Sequence, residues 1–150
     1  MNTKDIKSSF QFVGSKVLSC NMKNNFVSAD GSLPLKCTVE YTLGESSVNE
    51  DLQVLFGIVT LYVNVSATDN ESNGKFTCKL IIEGCFADSA DCDRDNFSKM
   101  LSINGCTLLY STARAYISTI SALSMSDGNF VIPMVNCYKL IEKGQKSSKK

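Results

Sequence analysis

The chain has no histidine, no tryptophan and only two prolines. The missing histidine removes the Ser–His and Cys–His pairs that activate a nucleophile in many hydrolases. It also means that a zinc site would need thiolates and carboxylates alone. No apolar run reaches the ~20 residues that span a bilayer, so direct membrane insertion is not expected. Met1 to Ser9 is polar and carries no signal-peptide core, and the expectation is a soluble, cytoplasmic protein. Charge is balanced, with 15 basic and 15 acidic residues, so nothing general points to nucleic acid or an anionic membrane. The glycines nowhere form a phosphate-binding loop. An enzyme is therefore the last reading to adopt, and neither a metal nor an organic cofactor is expected.

What is present is an ordinary globular composition. Its 150 residues suffice for one domain with a sizeable core. That domain is expected over 10–143, between flexible ends at 1–9 and 144–150. Seven cysteines stand at 20, 37, 78, 85, 92, 106 and 137, with no Cys-x-x-Cys spacing. Several fall at apolar strand positions, where a free cysteine acts as a small hydrophobe in a reducing compartment. Asp91, Asp93 and Asp95 alternate like part of a calcium loop, but Arg94 intervenes and the EF-hand glycine and distal glutamate are missing. They read as charge capping a helix N-terminus.

The clearest element is a β-hairpin over 51–87 with its turn at Ser72-Asn73-Gly74. In its second strand Phe76, Cys78, Leu80, Ile82 and Phe86 share one face, opposite Lys75, Thr77, Lys79 and Glu83. In its first strand Leu55, Val59, Leu61, Val63, Val65 and Ala67 make one apolar face. Leu52, Val54, Phe56 and Ile58 make the other face apolar too, in the first half only. A second apolar face needs a second partner: another layer, a subunit or a ligand.

Before the hairpin, 10–20 reads as a strand with a bulge where the phase slips between Phe12 and Val13. A crossover loop over 21–34 and a clean strand over 35–43 follow. After the hairpin, 97–126 reads as helix broken near Gly105, with Leu109, Ala113, Tyr116, Ile117, Ile120 and Leu123 as its stripe. The segment 129–135 must be extended around Pro133. A short helix over 137–143 follows, capped by Asn136 and closed by Gly144. The fold class is thus α+β: a four-stranded antiparallel sheet with a crossover after the first strand, covered by one long and one short helix.

In this order several strings resemble the SecB protein-export chaperone family. Phe76-Thr77-Cys78-Lys79-Leu80, running on to Gly84-Cys85-Phe86, resembles the family's fourth strand. Leu108-Leu109-Tyr110-Ser111-Thr112-Ala113-Arg114 followed by Ile117 resembles its helix motif. Ile132-Pro133-Met134-Val135-Asn136 resembles the Pro-Val-Asn string before its last helix, and Phe10-Gln11-Phe12 its opening strand. The resemblance covers about 10–141.

It implies an ATP-independent holdase that keeps unfolded polypeptides, preproteins for export among them, in apolar grooves of a homotetramer built as a dimer of dimers. It implies the SecA motor ATPase as a partner, or an antitoxin if the chaperone is dedicated to one client. Lys79 stands where the family often has an acidic residue on the face that docks SecA's basic tail, and the C-terminus is lysine-rich. Reversed charge there turns attraction into repulsion. Candidate groove residues are Phe26, Val27 and Leu33 on the crossover, Phe56 and Ile58 on the surplus strand face, and Phe130, Ile132 and Met134 after the helix. Core or subunit contact competes with the groove at each, most of all at Phe56 and Ile58. A carrier of a small apolar ligand is a further alternative. Arg114 reads as structural, through a carboxylate across an interface or by reaching solvent along its stem.

Overall fold

The computed structural model describes residues 8–29 and 33–147. The expectations for flexible ends fall largely on 1–7 and 148–150, outside the described residues. Four long strands form the sheet: β1 (Gln11–Asn24), β3 (Lys36–Leu43), β5 (Val54–Asp69) and β6 (Gly74–Ser89). Their order is β1-β6-β5-β3, antiparallel throughout. The crossover after β1 therefore carries the chain from one sheet edge to the other. One short strand joins this sheet, and two more form a small sheet of their own. Ser47–Asn49 (β4), within the stretch read as a turn, pairs with the start of β5. Ser28–Ala29 (β2), in the crossover, makes a parallel bridge to Asp127–Gly128 (β7) just past the long helix.

The hairpin forms as its pattern requires. Phe56 pairs with Ala87, and the register holds without slip to Asp69 opposite Gly74. Only Asn73 takes the left-handed conformation in the turn, at φ 53°. Gly74 is needed for a different reason: a Cβ there would overlap the ring of Phe26, which the crossover lays on it. β1 slips register at Val13, as its pattern predicts, and again at Leu18.

Asp93 caps α1 (Arg94–Met100) through Asp95 N–H. The break near Gly105 is a π-helical turn, Leu101–Gly105, leading straight into α2 (Cys106–Leu123). Gly105 lets α2 approach the sheet, since a Cβ there would press on Val59. Leu109, Ala113 and Ile117 are buried against the odd-numbered face of β5 and the even-numbered face of β6. Tyr116 and Ile120 flank this stripe. Leu123 departs from it and is 83% exposed. Seven residues past Tyr116, it lies only ~20° from that side chain around the helix; its exposure comes from its place as the last residue of α2. Residues 129–136 belong to no regular helix or strand, with burial alternating from Phe130 to Pro133 as in an extended chain, and α3 (Cys137–Ser147) runs on through Gly144 rather than ending there. Asn136 opens it, its side-chain oxygen accepting from Lys139 N–H at 3.3 Å.

Candidate functional site

The site lies where the crossover meets the segment after α2. Two sets of hydrogen bonds build it. The first fastens the crossover to the end of α2. Asn24 donates to the Ser124 carbonyl and hydroxyl at 3.2 and 3.1 Å, and accepts from Phe26 N–H at 3.0 Å. Ser126 donates to the Val27 carbonyl from its backbone at 2.8 Å and its hydroxyl at 2.7 Å. Phe26, thus held, enters the core edge-on to Phe130 at 5.4 Å, and Phe130 lies 4.5 Å from Phe76.

The second set strings the extended segment along one side of α2. Ser121, fully buried, donates to the Ser118 carbonyl at 3.0 Å and accepts from Phe130 N–H at 2.9 Å. Asn129 donates to the Ser118 hydroxyl at 2.5 Å. Arg114 Nε donates to the Ile132 carbonyl at 2.9 Å, and its Nη1 reaches Met134 Sδ. Tyr110 donates its hydroxyl to the Pro133 carbonyl at 2.5 Å. Positions 110, 114, 118 and 121 follow helical spacing on one face, so a single helix edge holds the Asn129 side chain and the backbone of Phe130, Ile132 and Pro133. Burial pushes the Tyr110 hydroxyl well above its ordinary range, the nearby Cys37 thiol adding to the effect. It therefore stays protonated and donating.

Held from behind, the segment forms one wall of a groove of about 450 Å³ lined by Ala29, Leu33, Leu35, Gly128, Asn129, Phe130, Val131 and Pro133. Val131 is 54% exposed, and Pro133 and Gly128 are exposed as well, so the wall faces solvent. Among the described residues the lining carries no charged side chain. Its polar groups are backbone amides and carbonyls and the Asn129 amide. Such a surface can bury apolar side chains and hydrogen-bond an extended chain.

Of the residues singled out from the sequence, Leu33 and Phe130 meet in this groove. Phe26 and Ile132 lie beneath it in the core, at 7% and 0% exposure. Val27 and Met134 are exposed on its flanks. Phe56 and Ile58 stand half-buried on the far face of the sheet, away from the groove. Val131 and Pro133 were not singled out, although they alternate with Phe130 and Ile132 in an extended stretch whose two faces must differ. Arg114 meets a backbone carbonyl, not a carboxylate, among the described residues.

The far face of the sheet changes character along its length. Phe56, Ile58, Cys85 and Ala87 occupy one end. Lys23, Lys36, Lys75 and Lys79 occupy the other, with no carboxylate in their registered rows on that face. The edge strand β1 exposes Phe12, Val13, Val17 and Leu18.

No protein-family model matches the chain, and no curated protein matches it in sequence. Solved structures do match its shape. A SecB-like chaperone of Mycobacterium tuberculosis, in complex with a peptide from an antitoxin, superposes with a TM-score of 0.58 at 8% identity. The match covers 85% of this chain and 91% of that one. A protein of unknown function from Streptococcus agalactiae gives a TM-score of 0.46 at 6% identity, over 83% of this chain and 97% of that one. The chain therefore has the fold of a SecB-like chaperone: α+β, an antiparallel sheet with a long helix and a short C-terminal one.

Proposed function

We propose that the protein is a nucleotide-independent chaperone that holds non-native polypeptide segments in the groove between its crossover and residues 129–133. The observation that carries this reading is the groove itself: open to solvent, lined by apolar side chains together with backbone polar groups, and without a charged side chain among the described residues. An unfolded chain presents apolar side chains every few residues. Burying them contributes roughly 25 cal/mol per Å². Several such contacts along one client reinforce each other through effective concentration, which gives tight but sequence-tolerant holding. The apolar edge of β1 supports self-association, in keeping with a homo-oligomer in which grooves of neighbouring subunits line up. Seven free thiols suit a reducing cytoplasm, and among the described residues no helix is long and apolar enough to cross a membrane.

Export through SecA is one destination for such a client. The lysines at 23, 36, 75 and 79 favour a second reading, a chaperone dedicated to one partner such as an antitoxin. They would repel a basic tail at this face and attract an acidic one. The structurally similar mycobacterial chaperone, seen with an antitoxin peptide, agrees with that reading.

The test is the mass in solution by light scattering, with and without a reduced, unfolded test protein. A holdase forms a complex that keeps the unfolded chain soluble. A protein that leaves the unfolded chain to aggregate, yet binds one native partner, is a dedicated chaperone. One that binds neither contradicts both readings.

A further inference from the structure

Cys20 and Cys78 are neighbours across β1 and β6. Cys20 pairs with Leu80 and Met22 with Cys78, so the two cysteines are diagonal partners on the helix-side face. The Cys20 thiol is close enough to help raise the pKa of Cys78. They differ in access: Cys78 is wholly buried, whereas Cys20 is exposed because α2 does not reach the edge strand. We propose that Cys20 and Cys78 are a redox pair, oxidised by a hydroperoxide to an intramolecular disulfide that staples the edge strand to the sheet.

The chemistry divides between them. The exposed Cys20 thiolate attacks one peroxide oxygen and breaks the O–O bond. Cys20 becomes a sulfenic acid, and the other oxygen leaves as hydroxide, or as an alkoxide from an organic hydroperoxide. The Cys78 sulfur then attacks the sulfenic sulfur. The S–S bond forms, the S–O bond breaks, and the oxygen leaves as water with the Cys78 proton. Two thiols are oxidised and one peroxide is reduced. Burial, and next the neighbouring Cys20, push the Cys78 thiol up to about 12, so the second step quickens as pH rises.

Diagonal partners sit about 7–8 Å apart at Cα, a little beyond the ~4.4–6.8 Å that a disulfide accepts. The strand must therefore shift slightly. β1 can do so, because among the described residues its outer edge is unpaired and a bulge lies two residues away at Leu18. A disulfide closed against such a shift is strained, and strained disulfides are the readily reduced, regulatory kind.

The test is peptide mapping of the reduced full chain after brief hydrogen peroxide treatment, with trypsin and without reductant. The expected product is a linked pair, residues 17–23 (VLSCNMK) joined to 76–79 (FTCK), with a loss of two free thiols per chain. Dithiothreitol should restore both thiols. Cys20→Ser should abolish the link, and Cys92→Ser should leave it intact. A Cys20 that ends as sulfinic acid with Cys78 still free, or that links only to Cys20 of a second molecule, overturns the proposal.

Discussion

The Tyr110 hydroxyl donates to the Pro133 carbonyl at 2.5 Å, tying the long helix to the wall of the groove. Tyr110 is 3% exposed, and its bond to Pro133 is part-buried. Tyr110→Phe should cost about 1–2 kcal/mol of stability. Urea unfolding should show a lower midpoint with an unchanged slope. Client affinity should fall as well, because the wall loses its anchor.

Arg114 holds the next carbonyl along. Its bond goes to a backbone oxygen through Nε, so geometry matters more than charge. Arg114→Lys and Arg114→Ala should both destabilise, by about 1–2 kcal/mol. The loss should be insensitive to salt. A lysine variant as stable as the parent, or a loss that disappears at high salt, would point to an ion pair instead.

Gly74 and Phe26 form a matched pair between the hairpin and the crossover. Gly74→Ala should destabilise by about 1–3 kcal/mol through overpacking against the ring. Combining it with Phe26→Leu should recover part of that loss. A double-mutant cycle measures the coupling, and strict additivity would mean that the two residues do not meet.

These pairs show what the sequence could tell and where it stopped. The hairpin was legible because Asn73 and two period-two runs act locally. The bulge at Val13 was legible as a phase slip. Leu33 and Phe130 could be suspected because each is apolar in a polar stretch. The groove they share could not be read, since its walls come from segments ~100 residues apart joined by Asn24–Ser124 and Val27–Ser126. Polar helix positions such as Ser118 and Ser121 look like solvent face in any periodicity. Here they bind the Asn129 side chain and the Phe130 N–H, a segment that the sequence does not show beside them. Gly144 failed as a stop because a glycine near a helix end carries only ~1 kcal/mol of preference.

Three buried acids make the fold sensitive to alkali. The Cys106 thiol is pushed from its ordinary 9.0 up to about 12, chiefly by burial and then by Cys137. Cys78 and Tyr110 shift the same way. Each has a higher pKa folded than unfolded. Its contribution is therefore complete below the unfolded value and is lost as pH rises through the folded one. Stability should be level below about pH 8 and decline from about pH 9 upward. Cys106→Ala should flatten the decline in a pH series of thermal melts. A decline as steep as the parent's would remove Cys106 from the account.

The most direct test of the central claim places a charge in the groove without disturbing the core. Val131 lines the groove and is half exposed, so Val131→Asp should fold as the parent does. The measurement is the affinity for a reduced, unfolded test protein labelled with a fluorophore, by anisotropy. The account predicts a loss of about tenfold or more, as expected when a carboxylate must be desolvated beside apolar client side chains. Phe56→Asp, on the far face of the sheet, should leave that affinity unchanged. Equal binding by the parent and Val131→Asp, with loss at Phe56→Asp, would move the client to the far face and contradict the account.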